Sequence, residues 1–63
     1  MCESTVYLSE NGKTTEVMSG ATRIVMRGDD AVCTNIVGEQ VTLSNVMLSE
    51  ANFLSHGIVF KKK

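Results

Sequence analysis

TVYLSENGKTTEV, residues 5–17, reads as a strand, a tight turn and a second strand. Asn11-Gly12 supplies the adjacent pair of positive-φ positions that a two-residue hairpin needs. The β-branched and aromatic residues on either side favour extended backbone, so the two runs are expected to pair antiparallel. Within the first run the even positions Val6 and Leu8 form one apolar face. Extending that parity backwards through Ser4 brings Cys2 to the core side.

The same period of two continues along the chain, with turn signals about every ten residues, the pattern of a small all-β fold. Gly20 is expected to break the second run. Thr22, Ile24 and Met26 then form an inward face, with Arg23 and Arg27 pointing out, and Gly28-Asp29-Asp30 turns the chain back. Residues 31–37 make the next strand, in which either parity can face inward, and Gly38-Glu39 ends it. Val41 and Leu43 alternate with Thr42 and Ser44 in the strand after that. Residues 46–54 tolerate helix better than the rest, yet Ser55-His56-Gly57 before Ile58-Val59-Phe60 favours a closing hairpin. The expectation is five to six short antiparallel strands curled into a small barrel. Residues 1–60 form one domain without repeats or linkers, and residues 61–63 form a basic, solvated C-terminal tail that frays.

A chain of 63 residues with no Trp, no Pro and three aromatics builds only a thin core. Domains of this size bury about 60% of the surface their unfolded chains expose, and often add disulfides, a metal or a partner subunit. The N-terminus lacks a basic segment followed by an apolar run, so no secretory signal is expected. Cys2 and Cys33 are therefore expected to be reduced thiols in a cytoplasmic protein. The longest apolar stretches fall far short of the roughly 20 residues that cross a bilayer. The formal net charge is −1, but residues 61–63 hold three of the six basic side chains, leaving residues 1–60 at −4. Nucleic-acid affinity rests mainly on phosphate contacts, so an acidic body with one short basic end argues against RNA or DNA as the main ligand.

The familiar catalytic and metal motifs are missing: no phosphate-binding glycine loop, no CxxC and no HExxH. His56 precedes a turn glycine and reads as a surface turn residue. Glu39 and Glu50 have no spacing that would set them up as an acid–base pair. Met18, Met26 and Met47 read as core filler, and Cys33, in the middle of a strand, as a small buried hydrophobe. Met1-Cys2 is different, because a thiol lies next to an α-amine with one ionisable backbone amide between them. Amine nitrogen, amide nitrogen and Cys2 thiolate would close fused small chelate rings. Planar nitrogen and thiolate donors suit Ni(II) or Cu(II) better than Zn(II), which prefers a tetrahedron. Two other readings stand beside this one: a partly buried structural cysteine, and an amino-terminal nucleophile exposed by loss of Met1. The chain is too short to line an enzyme pocket and offers no base other than His56, so no enzymatic activity is expected.

Several of these stretches together resemble one family. They are the start MCES with VYL after it, the hairpin at Glu10-Asn11-Gly12-Lys13, the Gly28-Asp29 turn, the Gly38-Glu39 step and the ending EANFLSHGIVF at residues 50–60. The sequence is similar over nearly its whole length to the CooT-like nickel-binding accessory proteins associated with carbon monoxide dehydrogenase. The resemblance implies a barrel of the SH3-like kind, a homodimer, and nickel bound through the cysteine after the initiator, here Cys2. Asn35 and Asn52 stand where acids would have been expected. The function implied is storage or delivery of Ni(II) to a nickel enzyme, carbon monoxide dehydrogenase or its maturation proteins. One Ni(II) per homodimer is expected, held by the Cys2 thiolates together with terminal nitrogens from Met1-Cys2. The contrasting expectation is a small RNA-binding barrel with no metal role, which salt-dependent RNA binding surviving Cys2→Ser would favour.

Overall fold

The computed structural model describes residues 3–63. Six strands follow one another: β1 (Ser4–Glu10), β2 (Lys13–Arg27), β3 (Asp30–Asn35), β4 (Gln40–Leu43), β5 (Val46–Asn52) and β6 (Gly57–Lys62). They form one sheet in the order β4-β3-β2-β1-β6-β5. There is no helix among the described residues, hence none long and apolar enough to cross a membrane.

The opening hairpin is as expected. Asn11 and Gly12 have φ of 54° and 76°, and Glu10 pairs with Lys13 across the turn. The following strand differs from expectation, because β2 runs for 15 residues straight through Gly20. Gly20 adopts φ 69° and makes a bulge instead of a break: Ser4 pairs with Ala21 but Val6 with Met18, so β2 carries one more residue than β1 over this interval. Such a bulge bends a strand and sharpens its twist. The first half of β2 consequently pairs with β1 and the second half with β3.

The strands are not all antiparallel. β1 and β6 run parallel, with Thr5 beside Gly57 and Ser9 beside Lys61. The reason is topological: β5 and β6 form a closing hairpin, and that hairpin docks on the free side of β1 with β6 innermost. The edge strands β4 and β5 are joined through Ser44 and Asn45 alone. Val46 N–H donates to the Asp29 carbonyl at 2.8 Å and Asn45 N–H to Asp29's neighbour Asp30 through Oδ1 at 3.2 Å. The sheet is thus curled until its two edges approach at one corner, and no β4–β5 ladder closes it into a barrel.

Inside the curl lie Val6, Met18, Ala21, Ala31, Cys33, Leu43, Val46 and Phe60, flanked by the partly buried Leu8, Val17, Ile24, Val41 and Ile58. Odd parity faces inward on β3, since Ala31 and Cys33 are both fully buried. Met18 is core as expected, whereas Met26 and Met47 are 47% and 50% exposed, because the sheet is open on the side that Met26 faces. The C-terminal lysines have partners in the fold. Lys61 and Lys62 extend β6, Lys62 Nζ donates to the Ser44 carbonyl at 2.9 Å, and Lys63 pairs with Asp29.

Candidate functional site

Met1 and Cys2, the predicted nickel ligands, lie outside the described residues. The residues that follow them are held on two sides. Ser4 pairs with Ala21 of β2, and Thr5 lies beside Gly57 of β6 while its N–H donates to the His56 carbonyl at 2.8 Å. Glu3 sits over the bulge: its Oε1 is 3.3 Å from the point a Cβ at residue 20 would occupy. Beside this corner runs an open cleft lined by Ser4, Ala21, Thr22, Arg23, Ile24 and Ile58.

The other candidates are scattered. Cys33 is fully buried in β3, and burial pushes its thiol above the usual range; the thiolate is the metal-binding and nucleophilic form, so the core is a poor place for either role. His56 is an exposed turn residue with φ 56°, which matches the sequence reading. Its backbone carbonyl nevertheless tethers the start of β1, a contact its position in sequence did not reveal. Glu39 accepts the Asn35 side-chain amide at 2.8 Å, and Glu50 lies on the edge strand β5, so the two do not form a pair. Among the described residues no three His, Cys, Asp or Glu side chains converge closely enough to hold a metal ion.

Asn35 and Asn52 have structural work; an acid could make both bonds of Asn52 but only part of those of Asn35. Asn35 Oδ1 accepts the N–H groups of Val37 and Glu39 at 3.1 and 2.9 Å while its amide donates to Glu39. Asn52 Oδ1 accepts those of Leu54 and Ser55, both at 3.0 Å. Each asparagine builds a turn by bonding its own backbone a few residues on.

Sequence reasoning missed an apolar groove on the open side of the sheet, lined by Ile24, Met26, Leu48, Ala51, Phe53, Ile58 and Phe60. Phe53 and Leu54, on the β5–β6 turn, are 80% and 95% exposed. The available signal was two large apolar residues placed immediately after a turn-forming Asn. Alternation alone does not say which side of a curled sheet stays open.

The family model described as "CO dehydrogenase accessory protein CooT" matches residues 1–61. Among solved structures, a candidate CooT from Carboxydothermus hydrogenoformans superposes with a TM-score of 0.87, covering 98% of each chain at 13% sequence identity. That likeness is one of fold. No curated protein matches the sequence.

Proposed function

The chain belongs to the CooT family of CO dehydrogenase accessory proteins, and from that membership we propose that it binds Ni(II) as cargo and stores it or supplies it for CO dehydrogenase maturation. The observation that carries this reading is Cys2 directly after Met1, in a chain whose family match begins at residue 1. The donor set fits the ion: a terminal amine, a deprotonable amide and a thiolate are strong-field donors for a planar d8 centre. No other group of metal-binding side chains converges among the described residues to compete with it.

Cys33 is buried, which leaves Cys2 as the thiol donor of each chain, so we take the site to be completed by a second copy, with one Ni(II) held between two Cys2 thiolates in a C2 homodimer. The small core and the exposed apolar groove support self-association, since assembly would withdraw apolar surface from water. The body is acidic, which favours a divalent cation over nucleic acid,. The role is non-catalytic and cytoplasmic in this reading.

The test is isothermal titration of wild type, Cys2→Ser and an N-terminally tagged form at two pH values, with native mass spectrometry for stoichiometry. Nickel must displace protons from a thiol and an amine, groups that in free peptides titrate near ~8.5 and ~7.7–8.0, so affinity is expected to fall steeply between about pH 8 and 6. Wild type is expected to show an intense near-ultraviolet thiolate-to-nickel band. Cys2→Ser loses that band and binds at least about tenfold more weakly. Unchanged affinity and spectrum in Cys2→Ser would refute the reading, and one nickel per monomer would refute the shared site.

A further inference from the structure

Among the described residues the sheet ends on two edges, β4 and β5. β4 is four residues long, and a short edge is one way that a sheet avoids pairing with another chain. β5 is seven residues long and borders the apolar groove through Leu48 and Ala51.

The ladder fixes where the backbone groups of β5 point. Lys63 N–H donates to the Asn45 carbonyl at 3.0 Å. In the antiparallel β5–β6 pair, Asn45 and Met47 therefore bond towards β6, while Val46 and Leu48 turn their N–H and C=O outwards,. Val46 agrees with that phase, because its N–H donates to the Asp29 carbonyl at 2.8 Å. Past Leu48 the register shifts at Ser49. On β6 the bonded alternation continues from Lys61 through Val59 to Gly57, so Glu50 and Asn52 face β6 and Ala51 turns outwards. Leu48 pairs with Phe60 and Ala51 with Ile58. Cross-strand partners share a face, so both side chains lie on the groove side. Residues three apart in a regular strand would face opposite ways, and the bulge at Ser49 re-aims them. Leu48 and Ala51 thus present outward-facing backbone groups and groove-facing side chains together.

We propose that β5 accepts an extended, apolar segment of a partner protein as an added strand, with alternate side chains of that segment seated in the groove. The backbone groups select an extended conformation and the apolar floor selects the side chains. The edge already begins this way, since Val46 bonds a carbonyl that belongs to another part of the chain. Area favours a segment over a second copy. Met26, Leu48 and Phe53, at 47%, 54% and 80% exposure, present roughly 350 Å² if side chains of this size expose about 200 Å² each in full. A stable interface between globular partners needs about 800 Å² a side. The groove alone falls short of that, and copies can also meet through Ile36 and Val37, which are exposed on the β3–β4 turn. The proposal stands apart from the nickel reading.

The probe is a capped hexapeptide of alternating valine and threonine, titrated into the metal-free, isotope-labelled full chain and followed by amide resonances. Valines seated in the groove would aim their own N–H groups at β5. The Leu48 and Ala51 amides should shift and exchange more slowly with solvent. N-methylation of the valines should weaken binding at least about tenfold, because outward groups of β5 lose their partners, whereas N-methylation of the threonines should change it less than about threefold. Leu48→Ser, at a half-exposed position that leaves the core intact, should weaken binding roughly tenfold. Three results would each overturn the proposal. One is no shift at millimolar peptide. Another is equal binding of the valine-methylated peptide, which would mean apolar contact without strand addition. The third is a shift of Leu48 and Ala51 on concentrating the protein alone that the peptide does not reverse, which would assign the edge to a second copy.

Discussion

Replacing Cys33 separates a structural thiol from a metal-binding one. The side chain is fully buried at the centre of β3, paired with Ile24 on one side and Val41 on the other. Cys33→Ala deletes one buried heavy atom and leaves a small cavity, a loss of about 1 kcal/mol on the scale of single-methylene core deletions. For a domain of this size that corresponds to roughly 4–8 °C in Tm. Cys33→Ser should cost more, because no polar side chain among the described residues is buried in this core and an unpartnered hydroxyl adds about 1–3 kcal/mol. Nickel affinity should stay within about threefold in both. The thiol also makes a pH prediction. Its folded-state pKa is raised by desolvation, so the unfolded chain releases this proton first, and the contribution of the neutral buried thiol is intact below the ordinary thiol range and declines as pH rises above about 8.5. Urea unfolding at pH 7 and 9.5 on wild type and Cys33→Ala measures it: wild type should lose more stability on going alkaline than the variant does. Cys33→Ala that is as stable as wild type yet binds nickel tenfold more weakly would refute the structural assignment. So would a Cys33 that reacts with a thiol reagent as fast as an exposed cysteine.

His56→Ala should leave nickel affinity within about threefold, since the contact to Thr5 is made by its backbone carbonyl; it should cost up to about 1 kcal/mol because Ala tolerates φ 56° poorly,, and His56→Gly should recover that loss in thermal melts. Phe60→Ala, at 2% exposure beneath the groove, should cost about 3–5 kcal/mol and leave little folded protein at 37 °C by circular dichroism. A variant that retained a cooperative melt near the wild-type Tm would show that the core is not where the structure places it.

Period-two patterning made most of the fold legible: Asn11-Gly12 specified the first hairpin, and the alternation of Val41 and Leu43 specified β4. Parity on β3 was open because Val32, Cys33, Ile36 and Val37 supply apolar residues at both parities; packing against β2 and β4 decided it. Gly20 was read as a break because glycine ends a strand and kinks one by the same lack of a Cβ, and only the partner register distinguishes the two. The parallel β1–β6 pair was invisible, since local pattern carries no strand direction. Lys61 and Lys62 read as a tail because charge marks solvent, yet an extended residue at a strand end can keep its ammonium in water while its backbone stays in the ladder. Of the candidate site, Met1-Cys2 could be read as a chelate because its donors are neighbours in sequence. The approach of Glu3 to Gly20 could not be read, because 17 positions separate them and a bulge brings them together.

The parallel pair has a consequence for how the chain reaches its structure. Thr5 and Gly57 are neighbours in the sheet although 52 positions separate them in sequence. Closing so long a loop carries an entropic cost that must be met before the contact contributes anything, and folding slows as such non-local contacts dominate. The early hairpins can form from local sequence, but β1 keeps an exposed edge until β6 has arrived. On a ribosome, that edge stays open while almost all of the intervening chain is made, offering unpaired N–H and C=O groups to any strand that meets it. Vulnerability to misassembly is therefore concentrated in the interval before the last strand docks, and a variant that weakens the β5–β6 hairpin should raise the aggregated fraction during synthesis more than one of equal cost in β3 or β4.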